Sequence, residues 1–319
     1  MRTVDVLTSR ALVTGGAGFI ASHLIDRLLE DGYNVTAFDN LSEGKMRNLE
    51  HLKNEPRFTF HQADLKDANG VEKLVSQVDV IFHLAAHANI RTSLVDHRAD
   101  LDNNLIGTLN ILEAMTKHHV RDLVFASTSA LVGEASVRPT PETYSGIQNS
   151  LYGASKLACE GYCEAFTEFS DLKFWAFRFS NVVGERCRRG VIWDFVHKLM
   201  VNPNELEILG DGKQDKEYIY VKDCVDGIMT GYSKLDKKVN IFNLAVEDNK
   251  MVDRVADIVI REMGLKDVKR KYTGGPRGWI GDIPVVHLDI SKIKSVGWSP
   301  KFSAEEAIAK TARWTIRNP

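Results

Sequence analysis

The feature that most constrains this chain is the run Ala11-Leu12-Val13-Thr14-Gly15-Gly16-Ala17-Gly18-Phe19-Ile20-Ala21. An apolar triplet comes first and a glycine-rich turn second. Ile20, Leu24, Ile25, Leu28 and Leu29 then recur at helical spacing. Strand, turn and helix in that order make a dinucleotide-binding unit. Gly15 permits the tight turn, Gly18 lets the backbone approach a diphosphate, and Ala21 falls where the helix packs on the sheet. The helix start at Phe19 and Ile20 offers free N–H groups to the phosphates. A glycine triplet alone says little; its placement between strand and helix says much more.

The pattern continues downstream. A second strand, residues 35–38, ends at Asp39 and Asn40. A carboxylate there accepts hydrogen bonds from the adenosine ribose hydroxyls and repels a phosphate, which favours NAD over NADP. The plainer reading is a turn-forming Asp-Asn pair. Asp64 and Leu65 close the next short strand, at the place of an adenine. Residues 78–84 form a buried strand ending at Leu84, and Ala85 and Ala86 beyond it are small enough for a cofactor to pass over. Residues 104–118 read as a helix with Leu105, Leu109, Leu112 and Met115 inward. Residues 123–126 are the next strand, followed by Ser127, Thr128 and Ser129. Ligands of open α/β sheets bind at such carboxyl ends, although hydroxyls also serve turns and caps.

Residues 133–150 are polar, contain Pro139 and Pro141, and read as a loop over the site. A helix from Tyr152 and a strand over 174–179 follow. This alternation predicts an α/β fold, a Rossmann-type doubly wound parallel sheet over residues 1–180. Residues 181–319 are expected to form a smaller α+β domain, with about 220–246 returning to the first. There the pattern gives a helix at 191–200, strands at 207–209 and 218–221, and Asp223 as a helix cap. A strand at 240–244 joins the main sheet, and an amphipathic helix spans 304–316. Arg186, Arg188 and Arg189 are either anion ligands or a solvated basic turn.

The chemistry centres on Tyr152-Gly-Ala-Ser-Lys156. Residues four apart on a helix are neighbours. Moving a phenol from its usual pKa of about 10 toward 7 takes roughly 4 kcal/mol. An ammonium about 5 Å away, at an effective dielectric near 20, supplies roughly 3 kcal/mol of that. A bound nicotinamide cation accounts for the rest, which leaves a general base beside a cofactor. The same spacing occurs on many solvated helix faces, so the glycine turn and the hydroxyl triplet give it its weight.

The totals fit. The chain has 319 residues, 44% of them hydrophobic and 26% charged, with a net charge of -2. That balance suits a soluble globular protein and gives no reason to expect nucleic acid or a membrane as partner. No apolar run approaches the roughly 20 residues that span a bilayer, and the first ten residues lack the features of a secretory signal. A cytoplasmic location is expected. Cys159, Cys163, Cys187 and Cys224 make no C-x-x-C pair, and His83 and His87 stand four apart at a strand end rather than on a helix. No metal site is expected.

With these residues laid out, the chain resembles the extended short-chain dehydrogenase/reductase family, in particular its NAD-dependent nucleotide-sugar epimerases and dehydratases. The resemblance covers nearly the whole length. It is carried by TGGAGFIASHL from Thr14, DNLSEG from Asp39, HLAA from His83, NNLIGTLNIL from Asn103 and STSA from Ser127. YGASK from Tyr152, RFSNVVG from Arg178, GDGKQDKEYIYVKD from Gly210 and GWSPK from Gly297 continue the series. Within the family it looks most like the UDP-glucose (UDP-galactose) 4-epimerases.

The resemblance implies a tightly held NAD and a nucleotide sugar, most nearly a UDP-sugar, bound by the C-terminal part. Tyr152 would deprotonate the C4 hydroxyl as hydride leaves for NAD, and Lys156 would tune Tyr152 and hold the nicotinamide ribose. Thr128 takes the catalytic Ser/Thr position. The cofactor residues would be Gly15, Gly18, Phe19, Ile20, Asp39, Asn40, Asp64, Leu65, Leu84, Ala85, Ala86, Asn104 and Ser127, with Tyr152 and Lys156. The sugar nucleotide would meet Thr128, Ser129, Asn181, Lys216, Tyr218 and Arg277. A homodimer through the helices beginning near Asn103 and Tyr152 is implied as well.

Some residues depart from the family pattern. Ala21 replaces a glycine, Val132 a tyrosine, and Lys216 an arginine, a point charge for a planar fork. Trp279-Ile280 places Arg277 two residues farther than usual from Gly281-Asp282. A 4,6-dehydratase would need an Asp-Glu pair where this chain has Ser129-Ala130, and Ala130 cannot move a proton. A UDP-glucuronate 4-epimerase or related decarboxylase stays open, with Arg91 or Arg186 as carboxylate partners. So does a non-catalytic NAD-binding scaffold.

Overall fold

The computed structural model describes residues 9–319. Residues 1–8, most of the stretch read above for a secretory signal, lie outside the described residues. In chain order come β1 (Arg10–Thr14), α1 (Phe19–Glu30), β2 (Asn34–Asp39), β3 (Phe58–Gln62), α2 (Ala68–Val75) and β4 (Val80–His83). Next are α3 (Gly107–His118), β5 (Asp122–Thr128), α4 (Leu151–Phe169), β6 (Lys173–Phe179) and β7 (Asn181–Val183). They are followed by α5 (Val191–Val201), β8 (Glu205–Ile208), β9 (Asp215–Tyr220), α6 (Val221–Lys234) and β10 (Val239–Leu244). The last are β11 (Asn249–Met251), α7 (Val252–Glu262), β12 (Lys269–Tyr272), α8 (Ser291–Ser295) and α9 (Ala304–Arg317). The chain divides into two compact units. One contains the residues up to Leu131 with Ser150–Arg178 and Ile228–Phe242; the other contains Val132–Asn149, Phe179–Gly227 and Asn243–Pro319.

The first unit is built on a seven-stranded sheet of order β3-β2-β1-β4-β5-β6-β10. Its registers from β3 through β5 are parallel. The Rossmann-type doubly wound fold expected from the sequence is present, and β10 joins the sheet edge as expected. The order of sequential strands reverses between β1 and β4, where such sheets open a ligand crevice. Burial of Leu12, Phe38, Ile81, Leu112, Phe125 and Phe174 supplies the main core. Tyr232 donates its hydroxyl to Asp122 at 2.9 Å, so a buried carboxylate is satisfied in that interior.

The second unit has a three-stranded sheet β11-β9-β7 and a two-stranded sheet β12-β8. β7 runs parallel to β9 and β11 antiparallel to it. Helix α9 starts cleanly because Ser303 and Glu306 form a reciprocal capping box.

The structure corrects several local expectations. Asp223 does not cap a helix: it lies inside the first turn of α6, and its Oδ2 accepts the backbone N–H groups of Lys301 and Phe302, each at 3.0 Å. Donors 78 and 79 residues away in sequence outweigh local capping. The strand expected at 207–209 is β8, shifted toward the N-terminus, and the one at 218–221 is β9, which ends before Val221. The helix expected from Asn104 begins with a wider π-helical turn, Leu101–Ile106, before α3.

Candidate active site

Gly15 is where the sequence and the backbone agree most closely. Its φ is +67°, and a Cβ there would meet Ala85 Cα and N at 2.8 Å. Only glycine fits both demands, and the turn after β1 is thereby pressed against the segment after β4, at the crevice. Gly18 stands just before α1, and its N–H donates to Gly15 O at 2.8 Å. The turn thus sets the N-terminus of α1, with Phe19 and Ile20 as its first residues, at the carboxyl end of β1, an arrangement suited to an anion.

Asp39 is buried at the end of β2. Its Oδ2 accepts the Ala17 N–H at 3.0 Å and its Oδ1 the Leu41 N–H at 2.7 Å. Burial raises its pKa against these two bonds. The carboxylate therefore shapes the glycine turn. Asn40 Nδ2 donates to Asp64 at 3.0 Å. Burial works to raise the pKa of Asp64, but the Lys66 N–H, Asn40 and the Lys66 ammonium together hold it below the usual range. Leu65 is buried, and its carbonyl accepts from Asn110 at 2.7 Å.

Between β1 and β4 runs an ordered hydrogen-bond chain. Thr108 Oγ1 donates to Asn104 O at 2.6 Å, so His83 Nε2 is the donor to Thr108 Oγ1 at 3.0 Å. His83 Nδ1 then accepts from Thr14 Oγ1 at 2.7 Å, and Thr14 Oγ1 accepts the Ala85 N–H at 3.1 Å. The tautomer follows from this network. Burial, with the Lys156 charge, drives the His83 pKa down to about 3, so the ring is neutral. Both nitrogens are occupied, and the histidine is a strut that places Leu84, Ala85 and Ala86. Among the described residues no cluster of His, Cys, Asp and Glu has metal-holding geometry.

Asn104 is a clip. Its amide spans the backbone of His87, accepting from N at 2.7 Å and donating to O at 3.1 Å, and also donates to Ser155 Oγ at 2.9 Å. Ser155 in turn donates to Tyr152 O at 2.9 Å. The π-helical turn that carries Asn104 thus steadies the first turn of α4, which Ser150 caps by accepting from Gly153 N.

On α4, Tyr152 is half-buried and Lys156 fully buried. The Lys156 ammonium lies 3.8 Å from the centroid of the Phe125 ring. Burial depresses its pKa to about 8, while Cys159, Cys163 and Glu160 push back. At the end of β5, Thr128 Oγ1 accepts the Ala130 N–H at 3.1 Å and keeps its own proton to give. Ser129 opens the following 3-10 turn. Ser127 is buried and gives its hydroxyl proton to Glu160. Sequence reasoning missed Glu160. A charge four residues after Lys156, beside apolar Cys159 and Cys163 on an inward helix face, was the available signal.

In the second unit, Asn181 Nδ2 donates to Glu217 O at 3.0 Å, and Asn181 pairs in register with the buried Tyr218. Burial pushes the Tyr218 phenol far up, so it stays protonated at neutral pH. Lys216 pairs with Asp282, which also accepts the Gly278 N–H at 2.9 Å. Arg277 donates to Asp282 O at 2.9 Å and pairs with Glu134. Both cations named for a diphosphate thus have acidic partners. The turn with Trp279 brings its indole 5.7 Å from the Lys216 ammonium. The basic turn is not simply solvated, because the Arg188 guanidinium lies 4.8 Å from the Trp314 ring.

The sequence profile described as "NAD dependent epimerase/dehydratase family" matches residues 11–245. The chain belongs to that family. A UDP-glucose 4-epimerase of Mycolicibacterium smegmatis is 32% identical over 312 residues, covering 96% of this chain and 98% of its own. A UDP-glucuronate 4-epimerase of Thermodesulfobacterium geofontis is 30% identical, covering 96% of each. A crystal structure of a UDP-galactose 4-epimerase aligns with a TM-score of 0.87 at 36% identity, covering 97% of this chain and 99% of that one. The cofactor of the family is NAD, and the glycine turn closed on Ala85 with the acid at the end of β2 fits it.

Proposed function

We propose that the protein is a UDP-glucose/UDP-galactose 4-epimerase that inverts C4 through a transient 4-keto sugar. The observation that carries the reading is the buried Lys156 one helical turn beyond Tyr152, in the same unit as the β5 end that presents Thr128. Bound NAD supplies a reversible hydride acceptor. Tyr152 takes the C4 hydroxyl proton and later returns it. Lys156 holds positive charge beside the phenolate in a place from which water is excluded, where that charge counts most. Thr128 donates its hydroxyl to the C4 oxygen, and its bond from Ala130 N fixes the direction of that donation. Asp39 holds the ribose end, and the start of α1 holds the diphosphate of the cofactor.

Asn181, Lys216, Tyr218 and Arg277 contact the sugar nucleotide in this reading. Lys216 and Arg277 release Asp282 and Glu134 to receive its diphosphate. A UDP-glucuronate substrate is the second reading, favoured by the similarity to the Thermodesulfobacterium protein. We also infer a homodimer through α4 and the turn before α3, whose Leu101, Ile106, Leu151, Tyr162 and Phe169 are exposed apolar residues. The four free cysteines suit a reducing, cytoplasmic setting.

The test is a panel of UDP-, GDP- and dTDP-sugars offered to the NAD-loaded protein without added reductant, with product analysis. Interconversion of UDP-galactose and UDP-glucose, lost in Tyr152→Phe with the fold retained, is expected. Full activity in Tyr152→Phe would remove the mechanism, and conversion of UDP-glucuronate alone would move the assignment to the second reading.

A further inference from the structure

The carboxylate of Glu160 is one turn past Lys156 and two past Tyr152, so all three side chains leave the same face of α4. It is almost completely buried, as are its partners Ser127 and Arg178. Arg178, from β6, holds it with two bonds, Nε to Oε1 at 3.1 Å and Nη2 to Oε2 at 2.7 Å. Ser127, from the end of β5, donates to the same Oε1. One carboxylate thus joins α4, β5 and β6 beside the residue that precedes Thr128.

Such a pair is a poor device for stability alone. Desolvating two charges offsets most of their attraction, and well-packed apolar residues often serve as well. Its location suggests another purpose. Because Ser127 spends its only hydroxyl proton on Glu160, it has none for a substrate oxygen, and Thr128 and Ser129 are the hydroxyls of the triplet left to donate. Lys156 is surrounded by groups from several elements: Cys159, Cys163 and Glu160 on α4, His83 on β4 and the Phe125 ring on β5. Arg178 on β6 and the half-buried Glu164 on α4 face Glu160 in turn. Of these, Glu160 is the buried carboxylate on the Tyr152–Lys156 face.

We propose that Glu160, clamped by Arg178, is a positioning residue for the reaction: it anchors Ser127, and with it the strand end presenting Thr128, and its negative charge balances Lys156. This rests on the catalytic roles given above to Tyr152, Lys156 and Thr128. Removing the charge makes the surroundings of Tyr152 more positive, so its phenol ionises at lower pH. Removing the Ser127 tie loosens Thr128 without altering charge.

The experiment uses NAD-loaded protein. Ionisation of Tyr152 is read as near-ultraviolet phenolate absorbance in each protein, minus that of the same protein carrying Tyr152→Phe. In Glu160→Gln the half-ionisation pH is expected to fall by about one unit. Ser127→Ala, which leaves the ion pair intact, is expected to keep the wild-type half-ionisation pH. It should lose about tenfold in kcat for UDP-galactose with KM little changed. The titration needs no sugar, so it decides on the charge role even if no nucleotide sugar is converted. An unchanged half-ionisation pH in folded Glu160→Gln overturns that role. If Glu160→Gln does not fold, Glu160→Gln with Arg178→Met, which removes the pair together, is compared with Arg178→Met alone: a lower half-ionisation pH in the double variant supports the charge balance, and equal values overturn it. Wild-type kcat in Ser127→Ala, in a protein that does epimerise, overturns the anchoring role and leaves the proposed function standing.

Discussion

Lys156 carries its ammonium 3.8 Å from the centroid of the Phe125 ring, in an interior that solvent does not reach. The aromatic face returns some of what desolvation takes away, yet burial still brings the lysine down to about 8. The buried charge is therefore held at a cost to the fold.

That cost has opposite signs for stability and turnover. The group titrates near 8 in the folded chain against 10.5 for a free lysine. The folded state therefore carries a penalty below pH 8, of order 3 kcal/mol, which is relieved as pH rises from about 8 toward 10.5. Turnover should fall over the same range, because the ammonium is lost. Lys156→Met should raise the unfolding free energy at pH 7 and abolish epimerisation. Denaturant unfolding and a pH–rate profile check both halves.

Gly15 admits no side chain. Gly15→Ala places a methyl 2.8 Å from Ala85 backbone atoms on a residue whose φ is +67°. The turn must open, at about 1–3 kcal/mol of strain, and the diphosphate site opens with it. We expect a lower Tm and NAD that washes out on gel filtration, measured by absorbance of the released cofactor.

Asp39 shapes the glycine turn and, in the proposed function, also holds the ribose. Asp39→Ala removes the acceptor of the Ala17 and Leu41 N–H groups. The loss should cost about 1–3 kcal/mol of stability even without cofactor. It should also weaken NAD binding while narrowing the preference over NADP, as calorimetric titration of both cofactors would reveal.

Arg277 and Glu134 offer a paired test of the phosphate clamp. Arg277→Ala should raise KM for UDP-galactose about tenfold or more with kcat changed far less, since a diphosphate contact is made equally in ground and transition states. Glu134→Gln removes the partner that now holds the guanidinium. It should lower KM. Unchanged KM in both variants would take Arg277 out of the site.

The first unit was legible from sequence because its signals are local. A glycine turn, a period-3.6 helix and an acid at a strand end each act within a few residues, and together they predict the sheet that holds them. The placement of Tyr152 and Lys156 one helical turn apart on α4 was legible for the same reason. What escaped depends on partners distant in sequence. Asp223 looked like a cap until Lys301 and Phe302 supplied its N–H groups. Glu160 meets Ser127 and Arg178 only once α4, β5 and β6 are assembled. The acidic partners of Lys216 and Arg277 were hidden likewise, since no spacing rule links 134 to 277.

The central claim is that hydrogen leaves C4 as hydride and comes back to the same carbon. UDP-galactose carrying deuterium at C4, incubated with the NAD-loaded protein in ordinary water and followed by NMR, tests it most directly. The account predicts UDP-glucose that retains the deuterium at C4 in wild type and no product in Tyr152→Phe. Product in which C4 has exchanged with solvent hydrogen would contradict it.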